Sequence, residues 1–196
     1  MKIRRWAGAL ALAALAFVST ARAQDVYTAD PVHTSIAFHV KHLMVSDVRG
    51  EFKTYTATIT LDPKNVENSS VEVTIDAPSI STNNEKRDGH LKSPDFFDVE
   101  KYPTITFKSK KIVKKGDGWV AVGDLTMRGV TKEIELPFTL TGPVNLGPAS
   151  VIGVSAATEI NRQDFGVSWN KSLDNGGVVV SDKVRIEIEV EAKKAS

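Results

Sequence analysis

The chain contains no cysteine. Disulfides, thiolate catalysis and cysteine–zinc sites are therefore excluded, and stability must come from the core alone. An excess of either charge is missing too: 25 Lys and Arg face 24 Asp and Glu, with no run of five or more basic residues. That balance gives no reason to expect nucleic acid or an anionic membrane surface as a partner. HExxH, a glycine-rich phosphate loop and a Gly-x-Ser-x-Gly elbow are all absent, which removes the commonest signatures of zinc proteases, nucleotide-binding enzymes and serine hydrolases.

What is present begins with a leader. Lys2, Arg4 and Arg5 precede the apolar stretch Ala7 to Val18, which is too short to cross a bilayer, and Ala21-Arg22-Ala23 follows in small-x-small order. The pattern predicts export with cleavage after Ala23. Residues 1–23 are then a signal peptide and 24–196 one domain. Losing Lys2, Arg4, Arg5 and Arg22 takes the formal charge from +1 to about −3. A chain of this length can bury roughly two thirds of its unfolded surface in a single core.

Period-two alternation dominates the mature chain. Ile36, Phe38 and Val40 alternate with Ser35, Ala37 and His39; Val71, Val73 and Ile75 with Glu72, Thr74 and Asp76. Ile134, Leu136, Phe138 and Leu140 share one face, as do Val184, Ile186, Ile188 and Val190. Each run fits a half-buried strand and fails the helical period. Weaker runs cover 50–61, 104–113, 119–127 and 151–160. Turn residues in "KKGDGW", "MRGVTK" and "DNGGV" join successive runs as hairpins. No helical crossover separates them, so about eight antiparallel strands form a barrel or a sandwich.

Residues 81–103, "STNNEKRDGHLKSPDFFDVEKYP", break the alternation. Thr82-Asn83-Asn84-Glu85 fits a capping box and Pro94 ends the segment that follows, while Ser93-Pro94-Asp95 reads as a second helix start. One or two short helices are expected across an end of the β-structure, with Phe96 and Phe97 packing them down as a lid.

Candidate chemistry is sparse. His39 and His42, three apart on a strand, point to opposite faces and do not form a metal pair unaided, so no metal site is assigned. Counting by twos carries Ile36, Phe38 and Val40 on to His42, and Val154, Ala156, Thr158 and Ile160 on to Arg162. Either each strand has ended and the side chain meets water, or both groups serve a site at one end. An arginine continuing an apolar face needs a partner, an acid such as Asp164 or a ligand oxygen. Arg87, Asp88 and His90 read either as a solvated helix face with an Arg–Asp pair or as part of that site.

The blocks "DPVHTSIAFHVKHL", "VRGEF", "SISTNNEKRDGHLKSPDFFDVEKYPTITFKS", "GDLTMRGVTKEIELPF" and "INRQDFGV" resemble the YceI-like family over essentially the whole mature chain. The resemblance implies a lipocalin-like, eight-stranded antiparallel barrel with a helical segment. It further implies a periplasmic location and a long isoprenoid or similar amphiphilic lipid held inside. Matching polar positions are His33, Ser35, His42, Arg87, Asp88, His90, Asn161, Arg162 and Asp164. Of these, His42, Arg87, Asp88, His90, Asn161, Arg162 and Asp164 are expected at the polar end. The apolar lining is expected from Ile36, Phe38, Val40, Val73, Ile75, Ile134, Leu136, Phe138, Ile186 and Ile188.

Three functions fit this reading. The first, without catalysis or cofactor, is lipid transport or storage. The second is an accessory that delivers a quinone to a membrane redox protein. The third is a hydrolase or metal enzyme built on the His/Asp cluster.

Overall fold

The computed structural model describes residues 24–172 and 177–195. The predicted leader, 1–23, and most of the predicted turn at 174–178 lie outside that range.

The elements are β1 (Asp25–Ala29), β2 (Ser35–His42), β3 (Ser46–Phe52), β4 (Tyr55–Leu61), β5 (Ser70–Asp76), β6 (Ile80–Ser81), α1 (Glu85–Lys92), β7 (Thr104–Lys115), β8 (Gly118–Met127), β9 (Val130–Leu146), β10 (Ala149–Asn161) and β11 (Val180–Lys194). All the strands pair antiparallel in one sheet that closes on itself through β1 and β11. These strand segments occupy eight staves, because three staves are broken in two. β11 pairs with β2 along its first half and with β1 near its end, so β1 and β2 form one stave. β2 pairs with β3 and β1 with β4, which makes β3 and β4 the next. β3 pairs with β6 and β4 with β5, which makes the third. The result is an up-and-down meander barrel of the predicted kind.

The hairpins follow turn chemistry. β8 and β9 join through Arg128 and Gly129, both left-handed at φ 50° and 74°, as a tight primed turn requires. Gly129 also lies against the Tyr102 ring, where a Cβ would collide.

The lower end of the barrel is closed. Tyr27, Leu61, Ile152 and Ala192 pack into a small cluster that is at most 2 % exposed. The Tyr27 hydroxyl meets Ser150 Oγ at 3.2 Å, so its polar tip is satisfied there. α1 enters between β6 and β7 and lies at the upper end.

Two expectations about this segment need correction. Its N-cap is Asn84, whose Oδ1 accepts from the Arg87 N–H at 3.0 Å, rather than Thr82. Of the one or two helices expected, one forms, and Ser93 closes α1 instead of starting another, its N–H and Oγ both donating to the His90 carbonyl. α1 itself buries no side chain fully; Phe96, just beyond it, does.

Candidate functional site

Alternation on eight staves sends one set of side chains inward, and the interior is not filled. An inner chamber of about 170 Å³ lies beneath an outer chamber of about 410 Å³. Apart from Thr34, Thr158 and Arg162, every side chain lining the inner chamber is apolar. Ile36, Phe38, Val40, Val73, Ile75, Ile134, Leu136, Ile186 and Ile188 all line it. Phe138 does not. Its parity is inward, but it sits lower, opposite Trp119 and Ala156, and borders a separate depression with Trp119, Pro137 and Lys115. The alternation identified its face and left its height undetermined.

Much of the lining escaped the sequence reading. Phe52, Ile105, Phe107, Leu125 and Met127 come from β3, β7 and β8, where polar interruptions blurred the alternation. Gly50 went unnoticed as well. It pairs with Phe38, whose ring lies over its backbone so closely that any Cβ there would overlap the ring.

Aromatic side chains from the interrupting segment cap the interior. Phe97 meets Phe52 edge-on at 5.9 Å between centroids, and Phe96 packs on Trp169 at 5.3 Å. Leu91 and Phe96 line both chambers, as do Phe38, Val40 and Val180 from the barrel wall, and so form the lid's share of the partition between them. The lid is also pinned by the neighbouring β8–β9 hairpin. Arg128 donates through Nη2 to Pro94 O at 2.6 Å and through Nη1 to Gly166 O. Arg128 was absent from the sequence reading, since nothing local marks a hairpin arginine as a strap.

The polar residues divide into two groups. His42, Arg87 and His90 line the outer chamber with Lys41, Thr82, Asn84 and Lys86. His42 is half-buried with no side-chain hydrogen bond to any described residue. His90 lies edge-on between Phe96 and Trp169, at 5.0 Å from each, with Nε2 2.8 Å from Asp95 Oδ2. Arg87 and Asp88 do not pair with each other. Both bind buried Thr82: Asp88 Oδ1 accepts its N–H and hydroxyl, while Arg87 Nε donates to Oγ1 at 2.7 Å and Nη2 to the carbonyl at 2.9 Å. Thr82 therefore organises the start of the lid, a role concealed by its resemblance to a cap.

The second group is structural. Arg162 is only 4 % exposed, and its five N–H groups meet five oxygens. Nε donates to Ser181 O, Nη1 to Val167 O and Trp169 O, and Nη2 to Val180 O and Asp182 Oδ1, at 2.6–3.4 Å. Burial draws its pKa down from the usual value, and Asp182 partly restores it. The expected partner Asp164 is exposed and uninvolved, while Asn161 caps the 162–165 turn through the Gln163 N–H. No donor of Arg162 is left for a ligand head. Arg162, Asn161 and Asp164 thus do not join His42, Arg87 and His90 at the rim.

His39 pairs with Glu187 at 2.9 Å outside the chambers, so the two strand histidines do diverge. At the lower end, Asp30, His33 and Glu191 bring candidate ligand atoms within 4.8 Å of one another. Lys193 Nζ already sits 2.5 Å from Asp30 Oδ2 and competes with a cation for it. Ser35, opposite Glu189 on β11, is remote from both groups.

This arrangement can enclose an apolar chain beneath a polar rim. Comparison with known proteins gives the fold a family: the model of the YceI-like domain matches residues 27–192. The chain belongs to the YceI-like family. A UPF0312 protein of Staphylococcus aureus (strain N315) is 35% identical over 167 residues, covering 84% of this chain and 95% of that one. A Campylobacter jejuni YceI protein of known structure is 38% identical, with TM-score 0.67 over 80% of this chain and 90% of that one. Two more distant structures share the fold. Burkholderia cenocepacia BcnA has TM-score 0.71 and 24% identity over 83% of this chain and 98% of its own. A polyisoprenoid-binding domain from Saccharophagus degradans has TM-score 0.60 and 13% identity over 88% and 100%.

Proposed function

We propose that this YceI-like domain is a periplasmic carrier or store that holds a long-chain isoprenoid or similar amphiphile, tail in the barrel and head at the rim. The observation that carries the reading is the continuous apolar lining from Thr34 to Phe96, closed below and opening beside His42, Arg87 and His90. The leader-like start of the chain supports export. The Saccharophagus domain binds a polyisoprenoid on the same fold, which makes this ligand class the first to test.

Affinity comes from the tail. Burial contributes about 0.8 kcal/mol per CH₂, so ten enclosed carbons give ~8 kcal/mol before costs. That is micromolar in scale. Cavities of ~150 Å³ hold a molecule of benzene's size, so the inner chamber of about 170 Å³ takes little more than one isoprene unit. A long chain must therefore run through both chambers and displace Leu91 and Phe96 from between them.

Mass spectrometry of an organic extract from protein purified out of its own periplasm tests the reading. A stoichiometric long-chain lipid is expected. Phe38→Trp, which fills the chamber, should lower its occupancy, whereas Phe138→Trp should not. A folded Phe38→Trp variant with unchanged lipid content would refute an internal site.

A further inference from the structure

At the upper end the chain passes from β2 to β3 through Leu43, Met44 and Val45, which are 38%, 56% and 81% exposed. Leu43 and Met44 occupy left-handed backbone, at φ 53° and 61°. Side chains of this size rarely adopt that region. Leu43 N–H donates to Val179 O at 2.9 Å and Val45 N–H to His42 O at 3.1 Å, so the turn is pinned rather than loose. It holds three apolar side chains away from the barrel.

These residues adjoin the outer chamber, whose rim carries Lys41, Lys86 and Arg87 with His42 and His90 and, among the described residues, no carboxylate. The nearby acids lie outside that lining: Asp47 pairs with Lys41, Asp88 accepts from Thr82, Asp95 meets His90 and Asp182 meets Arg162. Glu85, in the first turn of α1, faces solvent. Lys86 is exposed and has no ion-pair partner among the described residues. The even balance of charge over the whole chain conceals this segregation within the chamber lining.

We infer that the β2–β3 turn inserts into the interface of an anionic lipid bilayer, setting the upper end of the barrel against the membrane. The inference builds on the lipid-carrier reading and supplies its loading step. Three apolar side chains beside a chamber rim that carries Lys41, Lys86 and Arg87 and, among the described residues, no carboxylate match the headgroup–acyl boundary of such a bilayer. They are too few for a stable protein interface, which buries at least ~1,200 Å² in total. Docked this way, a lipid passes between bilayer and chamber without crossing water.

Flotation of the mature protein with phosphatidylglycerol–phosphatidylethanolamine vesicles reads the docking directly. Replacing Leu43, Met44 and Val45 together by Ser should lower partition at least ~10-fold. Lys86→Gln should lower it about threefold to fivefold on these vesicles and hardly at all on phosphatidylcholine. Val144→Ser with Leu146→Ser, an exposed apolar pair on the β9–β10 hairpin at the lower end, should change nothing. Unfolding midpoints and lipid content are measured on each variant. Unchanged flotation in the folded triple variant overturns the inference even if lipid is present. Loss in the Val144/Leu146 variant, or a dimer abolished by the triple change in protein that does not float, overturns it too. Wild-type protein without bound lipid overturns the carrier reading alone, and flotation still decides the docking.

Discussion

Arg162 offers the sharpest test of the interior, because its burial suggests a ligand contact and its hydrogen bonds argue against one. Arg162→Ala removes a guanidinium that joins the carbonyls of Val167 and Trp169 to Ser181, Val180 and Asp182. A buried acceptor left unpaired costs about 1–3 kcal/mol. Water from the outer chamber can reach some of these groups, and Asp182 is 45% exposed, so its ion pair is discounted for screening. A net loss of about 3–5 kcal/mol follows, similar to breaking a buried pair by removing one partner. Against a total of roughly 5–15 kcal/mol that is a large share. Urea unfolding followed by circular dichroism should show a much lower midpoint with an unchanged slope. Arg162→Lys keeps the charge but reaches fewer oxygens, and should fall between. Lipids with charged and neutral heads should lose affinity equally. An Arg162→Ala protein of near-normal stability that selectively releases charged-head lipids would refute the argument and restore Arg162 to the binding site.

Gly50→Ala puts a methyl group into the Phe38 ring, so the ring must swing into the chamber; a loss of about 1–3 kcal/mol and reduced lipid content are expected, read by unfolding and mass spectrometry. Replacing Phe96 and Phe97 together by Ser should raise hydrogen exchange first in 81–103, and equal loss of protection in every strand would contradict their role as a lid. Asp30 is held well below the usual carboxylate range by Lys193, then by the Val32 N–H and the His33 ring. A depressed folded pKa stabilises above the unfolded value of about 3.9, and that contribution is lost as pH falls below it. Lys193→Ala should therefore raise the Asp30 pKa in an NMR titration and flatten this part of the acid slope of stability.

The alternation in β2, β5, β9 and β11 was legible because each stave there has one wet and one buried face, so composition repeats the geometry. β1 and β6 were not legible as strands, and of β3 only Gly50 to Phe52 fell within a predicted run. Each is one part of a broken stave, down to the two residues Ile80 and Ser81, and its place depends on pairing with a separate segment of the chain. The lid aromatics stood out in the sequence as apolar residues in a polar stretch. Their partners Phe52 and Trp169 did not, since each contact joins residues more than forty apart.

By itself, then, the sequence determined the class of fold, the inward face of the main strands, the position of the helical interruption and, through its motifs, the family. These are local properties, written in period, turn chemistry and short blocks. Only the tertiary structure decided how far along the barrel each inward residue sits, which separates Phe138 from Ile134 and Leu136 on one face of β9. Only it decided that Arg162 is consumed by five oxygens while His42 has no side-chain partner among the described residues. Strand parity gives direction, but height and hydrogen-bond satisfaction depend on which distant segments the closed barrel brings together.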